Sequence, residues 1–131
     1  MIQEGLKALL AANAGVSALV AGRIFPVLGP PDIGQMPYVV YVCVGGSSEP
    51  SLSTSGVLRQ RIEINAHAET YGAAAVLRAA IISAVNGWNE TLADGTHVLN
   101  TTLLNPGTDF CGEDRIFRCM VEFYVLYTLP A

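Results

Sequence analysis

The residue that most resembles a candidate nucleophile in this sequence is Cys111. A cysteine attacks as the thiolate, which nearby cations favour and nearby anions disfavour. Asp109, Glu113 and Asp114 flank Cys111 and contribute only negative charge. An enzyme that uses this thiol is therefore an alternative hypothesis that the surrounding residues do not favour. The adjacent Glu113-Asp114 pair could bind a hard cation, but two carboxylates alone are weak evidence for a metal site.

Two histidines and two further cysteines complete the set of residues that could serve catalysis or metal binding. His67 lies on the polar side of a predicted strand, which indicates a surface histidine, and His97 stands near a strand start without an evident partner. Cys43 and Cys119 lie in apolar strand-like runs, where a reduced thiol packs as a small hydrophobe. The sequence has no CxxC, GxSxG, P-loop or GxGxxG pattern. We predict a non-enzymatic protein without metal or cofactor, with His97 the other candidate of the enzyme alternative.

Composition bounds the class of protein. The 131 residues predict a single domain over 1–131, in which 51% of residues are hydrophobic and only 14% are charged. Such a composition favours an oligomer, because part of the surface must be covered by a partner. The net charge is −4 and the chain has a single lysine, Lys7, which argues against nucleic-acid binding. Without a signal peptide or a long apolar run, we expect a soluble, non-exported protein that does not bind membranes.

The first third of the chain alternates helical and proline-rich stretches. Apolar residues recur at helical spacing over residues 2–12, and a shorter helical segment follows over residues 16–20. Residues 24–37 contain four prolines and two glycines, which predicts an extended loop. Residues 38–44 are apolar at every position, which predicts a strand covered on both faces, by a helix on one side and by a neighbouring subunit on the other.

The two clearest strands carry most of the charged residues that we regard as candidate contacts. Residues 57–68 alternate between apolar and polar positions, and the run over residues 115–127 does the same. Antiparallel pairing of these strands would place Arg61 and Glu63 near Glu122 and Arg118. Arg59 shares the polar face with Arg61.

A Ser- and Gly-rich segment over residues 45–56 separates the strand at 38–44 from the strand at 57–68. We predict a flexible loop or a binding arm that becomes ordered on a partner, and the sequence leaves both interpretations open. The candidate contact residues are uncharged but for one glutamate: Gly45, Gly46, Ser47, Ser48, Glu49 and Ser51.

The second half of the chain supplies the main helix and two further strands. The helix spans about 69–87, with a core stripe at Ala74, Leu77, Ile81, Val85 and Trp88. A third strand follows over residues 96–104, and Asn-Pro-Gly at 105–107 predicts a turn before the last strand. The element order predicts a two-layer α+β domain, with three or four mainly antiparallel strands and the helices on one face.

Several segments resemble one family, the tail-completion or head–tail joining (tail terminator) proteins of long-tailed bacteriophages and prophages. Leu19-Val-Ala-Gly-Arg-Ile-Phe-Pro26 resembles the family's Leu-Val-x-x-Arg-Ile-Tyr-Pro, and Pro37-Tyr-Val-Val-Tyr41 resembles its first long strand. Arg61-Ile-Glu-Ile64 with the following helix is similar to its strand-to-helix core. Phe123-Tyr-Val-Leu-Tyr127 is similar to its aromatic last strand. The segment Asp109-Phe-Cys-Gly departs from the family pattern.

The resemblance implies a non-catalytic virion protein of the tail or neck that is assembled in the host bacterial cytoplasm. Family members form rings, commonly hexamers, between the tail tube protein and the head–tail connector protein. The residues and the resemblance together make the 45–56 arm and the Arg59, Arg61, Glu63, Arg118 and Glu122 face the expected contact surfaces. The alternative from a different class is a homodimeric ligand-binding or regulatory module, with a buried cavity lined by Trp88, Tyr38 and Tyr124.

Overall fold

Three helices lie on one face of a six-stranded sheet in the computed structural model, which describes residues 2–26, 36–48, 56–111 and 116–130. The helices are α1 (Ile2–Ala12), α2 (Ala14–Val20) and α3 (Tyr71–Val85). The strands are β1 (Ile24–Pro26), β2 (Tyr38–Ser48), β3 (Val57–Ala68), β4 (Glu90–Thr91), β5 (His97–Cys111) and β6 (Phe117–Thr128). The predicted α+β class is therefore confirmed.

Helix starts are defined by side-chain caps. The Asn13 side chain accepts a hydrogen bond from the Val16 backbone N–H at the start of α2, at 3.1 Å. Thr70 does the same for Ala73 at the start of α3. A cap of this kind satisfies one backbone donor that a helix leaves unpaired in its first turn, so the polar residue sets where the helix begins.

The sheet is built around a long antiparallel pair. β3 and β6 pair residue for residue, from Val57 opposite Thr128 at one end to Ala68 opposite Phe117 at the other. We call the end at Val57 and Thr128 the upper end of the sheet. β2 and β5 flank this pair, and the complete order is β1-β2-β3-β6-β5-β4. The β1–β2 pair is parallel and the other pairs are antiparallel.

The hydrophobic core lies between the helices and one face of the sheet. The predicted stripe of α3 is buried as expected, and so is Trp88. It packs against the alternating apolar positions of the central strands, including Ile62, Ile64, Val121 and Phe123, and α1 adds Leu6 and Leu10. Each of these large side chains contributes roughly 1.5–3 kcal/mol on burial, so the period-two and period-3.6 patterns decide which faces meet.

The sheet is larger than the sequence indicates, with six strands in place of three or four. β1 falls in the segment predicted as a loop, and β2 runs four residues beyond its predicted end, through Gly45–Ser48. β5 continues to Cys111 through the predicted turn, because β6 stays paired with it across register shifts around Asn105 and Thr108. The Asn105 side chain accepts the Gly107 N–H at 3.0 Å, so Asn-Pro-Gly forms a bulge within the strand.

Two predicted features fall wholly or partly outside the described residues. The loop between β2 and β3 includes residues 49–55, and the predicted continuation of the turn after β5 includes residues 112–114. Within the described ranges, no helix is long and apolar enough to span a membrane.

Candidate protein interface

The candidate contact residues share the sheet face that points away from the helices, which we call the open face. Strand register places Arg59, Arg61 and Glu63 of β3 on this face, opposite Leu126, Tyr124 and Glu122 of β6. Arg118 lies on the same face, opposite His67. The predicted polar surface of β3 and β6 is therefore formed by both strands, side by side.

An arginine and two glutamates occupy the middle of the open face. The Arg61 Nε atom lies 3.4 Å from Glu122 Oε2, a charge–charge contact without hydrogen-bond geometry. This agrees with the predicted proximity of Arg61 and Glu122. Glu63, however, stands directly opposite Glu122 and four residues from the level of Arg118, so the register does not bring Glu63 and Arg118 together. A partly exposed pair of this kind stabilises by about 0.2–1 kcal/mol, so it orients charge more than it holds the fold.

Asn65 connects this charged group to a buried position. Its side-chain Nδ2 donates to Glu63 Oε1 at 3.1 Å, although the residue is only 4% exposed. The Asn65 Oδ1 atom is buried and has no hydrogen-bond partner. An unsatisfied buried oxygen costs roughly 1–3 kcal/mol, so the open face contains one strained polar position at its centre.

Aromatic contacts fix two other parts of the open face. The Arg59 guanidinium lies 4.2 Å from the centroid of the Tyr124 ring, a cation–π contact that holds the arginine against the sheet. Tyr38 stacks on His67 with ring centroids 4.5 Å apart, and Phe25 meets the Tyr38 ring edge to face. His67, predicted as a surface residue, is half-buried by this stacking.

The apolar side of β2 on the open face is buried within a single chain. Tyr38 is 5% exposed and Val40 6% exposed, while Val42 is half-buried. The other face of β2, at Val39 and Tyr41, belongs to the helix-side core. The expectation that β2 is covered on both faces thus holds at Tyr38 and Val40, and cover by a neighbouring subunit stays a prediction.

The structure redefines the predicted arm. Gly45–Ser48 belong to β2, and the backbone of Gly46, Ser47 and Ser48 pairs with Gln60, Arg59 and Leu58. Ser47 therefore adjoins the charged part of the open face through Arg59. Glu49 and Ser51 lie outside the described residues.

A polar cluster that the sequence did not reveal joins α3 to the lower half of β5. Asp109 accepts hydrogen bonds from Tyr71 Oη at 3.0 Å and from Arg78 Nη1 at 2.7 Å. The buried Cys119 thiol donates to the same carboxylate, and this bond is the main reason why the pKa of Asp109 lies below its usual value. No local pattern signals the cluster, because Asp109 follows a segment that is typical of a turn.

The residues of the enzyme alternative do not converge. Burial, followed by the bond to Asp109, raises the pKa of the Cys119 thiol to about 11, and burial also raises the pKa of Cys43. Neither thiol is therefore a ready nucleophile near neutral pH. His97 is exposed at the upper end of β5, and the side chain of Cys111 lies outside the described set. Among the described residues, no group of three or more potential ligands could hold a metal ion.

The cavity of the ligand-binding alternative is not formed by its predicted residues. Trp88 is buried in the helix-side core, whereas strand register places Tyr38 and Tyr124 on the open face. The sheet itself separates the two groups. These three aromatic residues therefore cannot line one pocket, and the observation that would have favoured a small-molecule module is missing.

Comparison with known proteins identifies the family. The family model described as "Tail completion protein gp17" matches residues 4–128. The chain belongs to this family. The resemblance noted in the sequence is thereby confirmed, and the chain is a phage structural protein of the tail completion class.

Other comparisons bear on the fold. A chain of the structure titled "Virion of native gene transfer agent (GTA) particle" is similar with a TM-score of 0.74 and 19% sequence identity. The similarity covers 93% of this chain and 90% of that one. At this identity it shows that the tail completion fold described above occurs in a solved particle. No curated protein matches this sequence.

Proposed function

We propose that this tail completion protein is a non-catalytic ring subunit at the tail end, where it binds its own copies, the tail tube protein and the head–tail connector protein. The ring, commonly a hexamer in the resemblance described above, would lie in the tail or neck of the virion after assembly in the host cytoplasm. The family match over residues 4–128 is the observation that carries the proposal. The surface chemistry described below supports it.

The outer side of α3 supports burial by a partner. Arg78 is the single charged residue of this helix, and it is turned toward Asp109. The exposed positions Gly72, Ala73, Val76, Ala79 and Ser83 therefore carry no charge, and Val76 is 58% exposed. A helix that is apolar around its circumference is usually covered on all sides. We infer that this side is covered when the particle is assembled.

The open face supports a partner contact of a different kind. Arg59 is held by Tyr124, and Arg61 by Glu122, so both cations keep defined positions on a rigid pair of strands. Charges in fixed positions contribute to orientation and partner choice more than to affinity. We assign Arg59, Arg61, Glu63, Arg118 and Glu122, with the adjoining Gly45–Ser48 edge and residues 49–51, to contacts with a virion partner.

The first experiment measures the mass of the purified protein by light scattering over a concentration series, with negative-stain imaging of the same samples. Rings of about six subunits are expected. A monomer or dimer at every concentration, also when purified tail tubes are added, would contradict ring formation.

The second experiment tests the partner contacts in a head–tail joining assay with separately purified heads and tails. Replacing residues 49–55 with Asn-Gly closes the β2–β3 hairpin with a short loop and should leave the fold intact while abolishing joining. The variant Arg61→Glu should weaken joining. The double variant Arg61→Glu, Glu122→Arg restores the internal pair but not the surface pattern, so it should stay defective. Normal joining by the double variant would rule out a contact that depends on these charges.

A further inference from the structure

Both long outer strands of the sheet are only partly covered by their neighbours. β1 pairs with β2 at Val39–Tyr41, the lower part of an eleven-residue strand. β4 pairs with β5 at His97 and Val98, the upper end of a fifteen-residue strand. The residues after α3 extend this cover slightly, because the Gly87 N–H donates to the Thr101 carbonyl at 2.9 Å.

The direction of the backbone groups identifies where each edge becomes open. The Val39 N–H points outward to the Arg23 carbonyl, so the alternation of a strand also turns the backbone groups of Cys43 outward. The outward Thr101 carbonyl likewise places the N–H and C=O of Leu103 on the outer edge. Among the described residues, neither Cys43 nor Leu103 has a strand partner on that side.

The open stretches lack the features that usually protect a sheet edge. Residues 42–48 contain no charged residue and no proline, and the same holds for residues 102–105. Leu104 is 43% exposed. Soluble proteins normally place charges, prolines or bulges along exposed edges to prevent pairing with other chains. Pro106 and the bulge around it protect β5 further on, which limits its available stretch to Thr102–Asn105.

The two edges are complementary to one another. Three successive antiparallel pairs separate β2 from β5, so the two strands run in opposite directions at opposite sides of the sheet. A second copy placed beside the first, with the same face outward, brings its β5 antiparallel to β2. The contact joins two different surfaces, which is the kind that closes into a ring.

The positions of the covers also define how the copies are offset. β1 covers the lower part of one edge, and β4 covers the upper part of the other. These covers avoid each other only when the neighbour is shifted along the strand direction. A stagger between tilted strands is what closure of a sheet into a ring requires.

We propose that Val42–Ser48 of one copy pairs with Thr102–Asn105 of the next copy to form a continuous intersubunit sheet. This inference rests on the proposed ring and specifies its self-contact. The occupant is a second copy because each open edge finds its counterpart, in uncharged character and strand direction, on the same chain.

The test follows backbone hydrogen exchange of the wild-type protein at a dilute, monomeric concentration and at an assembling concentration. Peptides covering residues 42–48 and 102–105 should lose exchange on assembly. Rings in which both segments still exchange freely would overturn the edge contact and leave the ring proposal standing. Protection of both segments already in the monomer, or a protein that stays monomeric throughout, would also overturn it.

Edge variants provide the second readout. Cys43→Pro and Leu103→Pro each remove an outward N–H, whereas Cys43→Ala and Leu103→Ala retain it and serve as matched controls. The proline variants should raise the concentration needed for assembly roughly tenfold above their alanine controls, as expected for the loss of one well-formed hydrogen bond. Circular dichroism identifies any variant that fails to fold. Folded proline variants that assemble like the controls would contradict the proposal, and crosslinked species that stop at dimers would indicate a two-fold contact instead.

Discussion

The Arg78 guanidinium lies 2.7 Å from the Asp109 carboxylate and connects the one charged residue of the main helix to the lower half of β5. This contact explains two features together. It removes the charge from the outer side of α3, and it holds β5 against the helix beyond the bulge that interrupts the strand. Tyr71 and Cys119 donate to the same carboxylate, so one acidic side chain organises parts of α3, β5 and β6.

Asp109→Asn should lower the melting temperature and reduce its dependence on acid pH. The bond from the Cys119 thiol, with those from Tyr71 and Arg78, lowers the pKa of Asp109 in the folded protein below the usual 3.8. Its stabilising contribution is therefore present above that value and is lost as the pH falls through the lower folded-state pKa. Thermal melts between pH 5 and pH 2 should show a flatter curve for the variant. Parallel curves would indicate that Asp109 does not couple protonation to folding.

Gly107→Ala should disturb the same cluster from the other side. A Cβ atom at this position would lie 2.6 Å from Arg78 Nη1, so the guanidinium would have to move away from its place beside Asp109. We expect a loss of about 1 kcal/mol in the free energy of unfolding. Adding Arg78→Ala should make the effect of Gly107→Ala smaller, since the clashing group is then absent. Strict additivity in chemical denaturation would contradict this explanation.

Asp94 makes a separate prediction about acid stability. The Thr96 backbone N–H donates to Asp94 Oδ1 at 2.9 Å in the turn between β4 and β5, and this bond lowers the pKa of Asp94 from 3.8 to about 2. Stability from this turn should be complete above about pH 4 and should disappear as the pH approaches 2. Asp94→Ala should remove that part of the acid transition, whereas Asp94→Asn, which keeps an acceptor, should retain much of the stability at neutral pH.

The thiols should be slow to react in the folded protein. In a Cys111→Ser background, Cys43 and Cys119 remain, and burial raises the pKa of both. Titration with a thiol reagent at pH 8 should be slow in buffer and rapid in denaturant, with Cys119 the slower of the two, as Cys119→Ala would show. A fast native reaction at Cys119 would mean that the helix-side core opens readily, and a fast thiol lost with Cys111→Ser would support the enzyme alternative.

Local pattern determined the elements whose burial is periodic. The α1 bounds, the β3 bounds and the core stripe of α3 follow from the sequence, because one face of each must leave water and the spacing of apolar residues reveals that face. The family resemblance follows from these same segments. The open-face residues of β3 and β6 were placed correctly for the same reason, and the contact of Arg61 with Glu122 followed from antiparallel pairing.

Tertiary structure decided what spacing alone does not encode. Asn105-Pro-Gly would form a turn in isolation, but pairing with β6 and the Arg78–Asp109 contact keep it inside β5 as a bulge. Pairing with β2 makes a strand of Ile24–Pro26, in a segment whose prolines predict a loop. Tyr38 and Trp88 lie on opposite sides of the sheet because strand register, which depends on the partner strand, assigns each its face. Local preferences amount to tenths of a kcal/mol per residue, whereas burial and pairing contribute more, so the partner strand prevails wherever the two disagree.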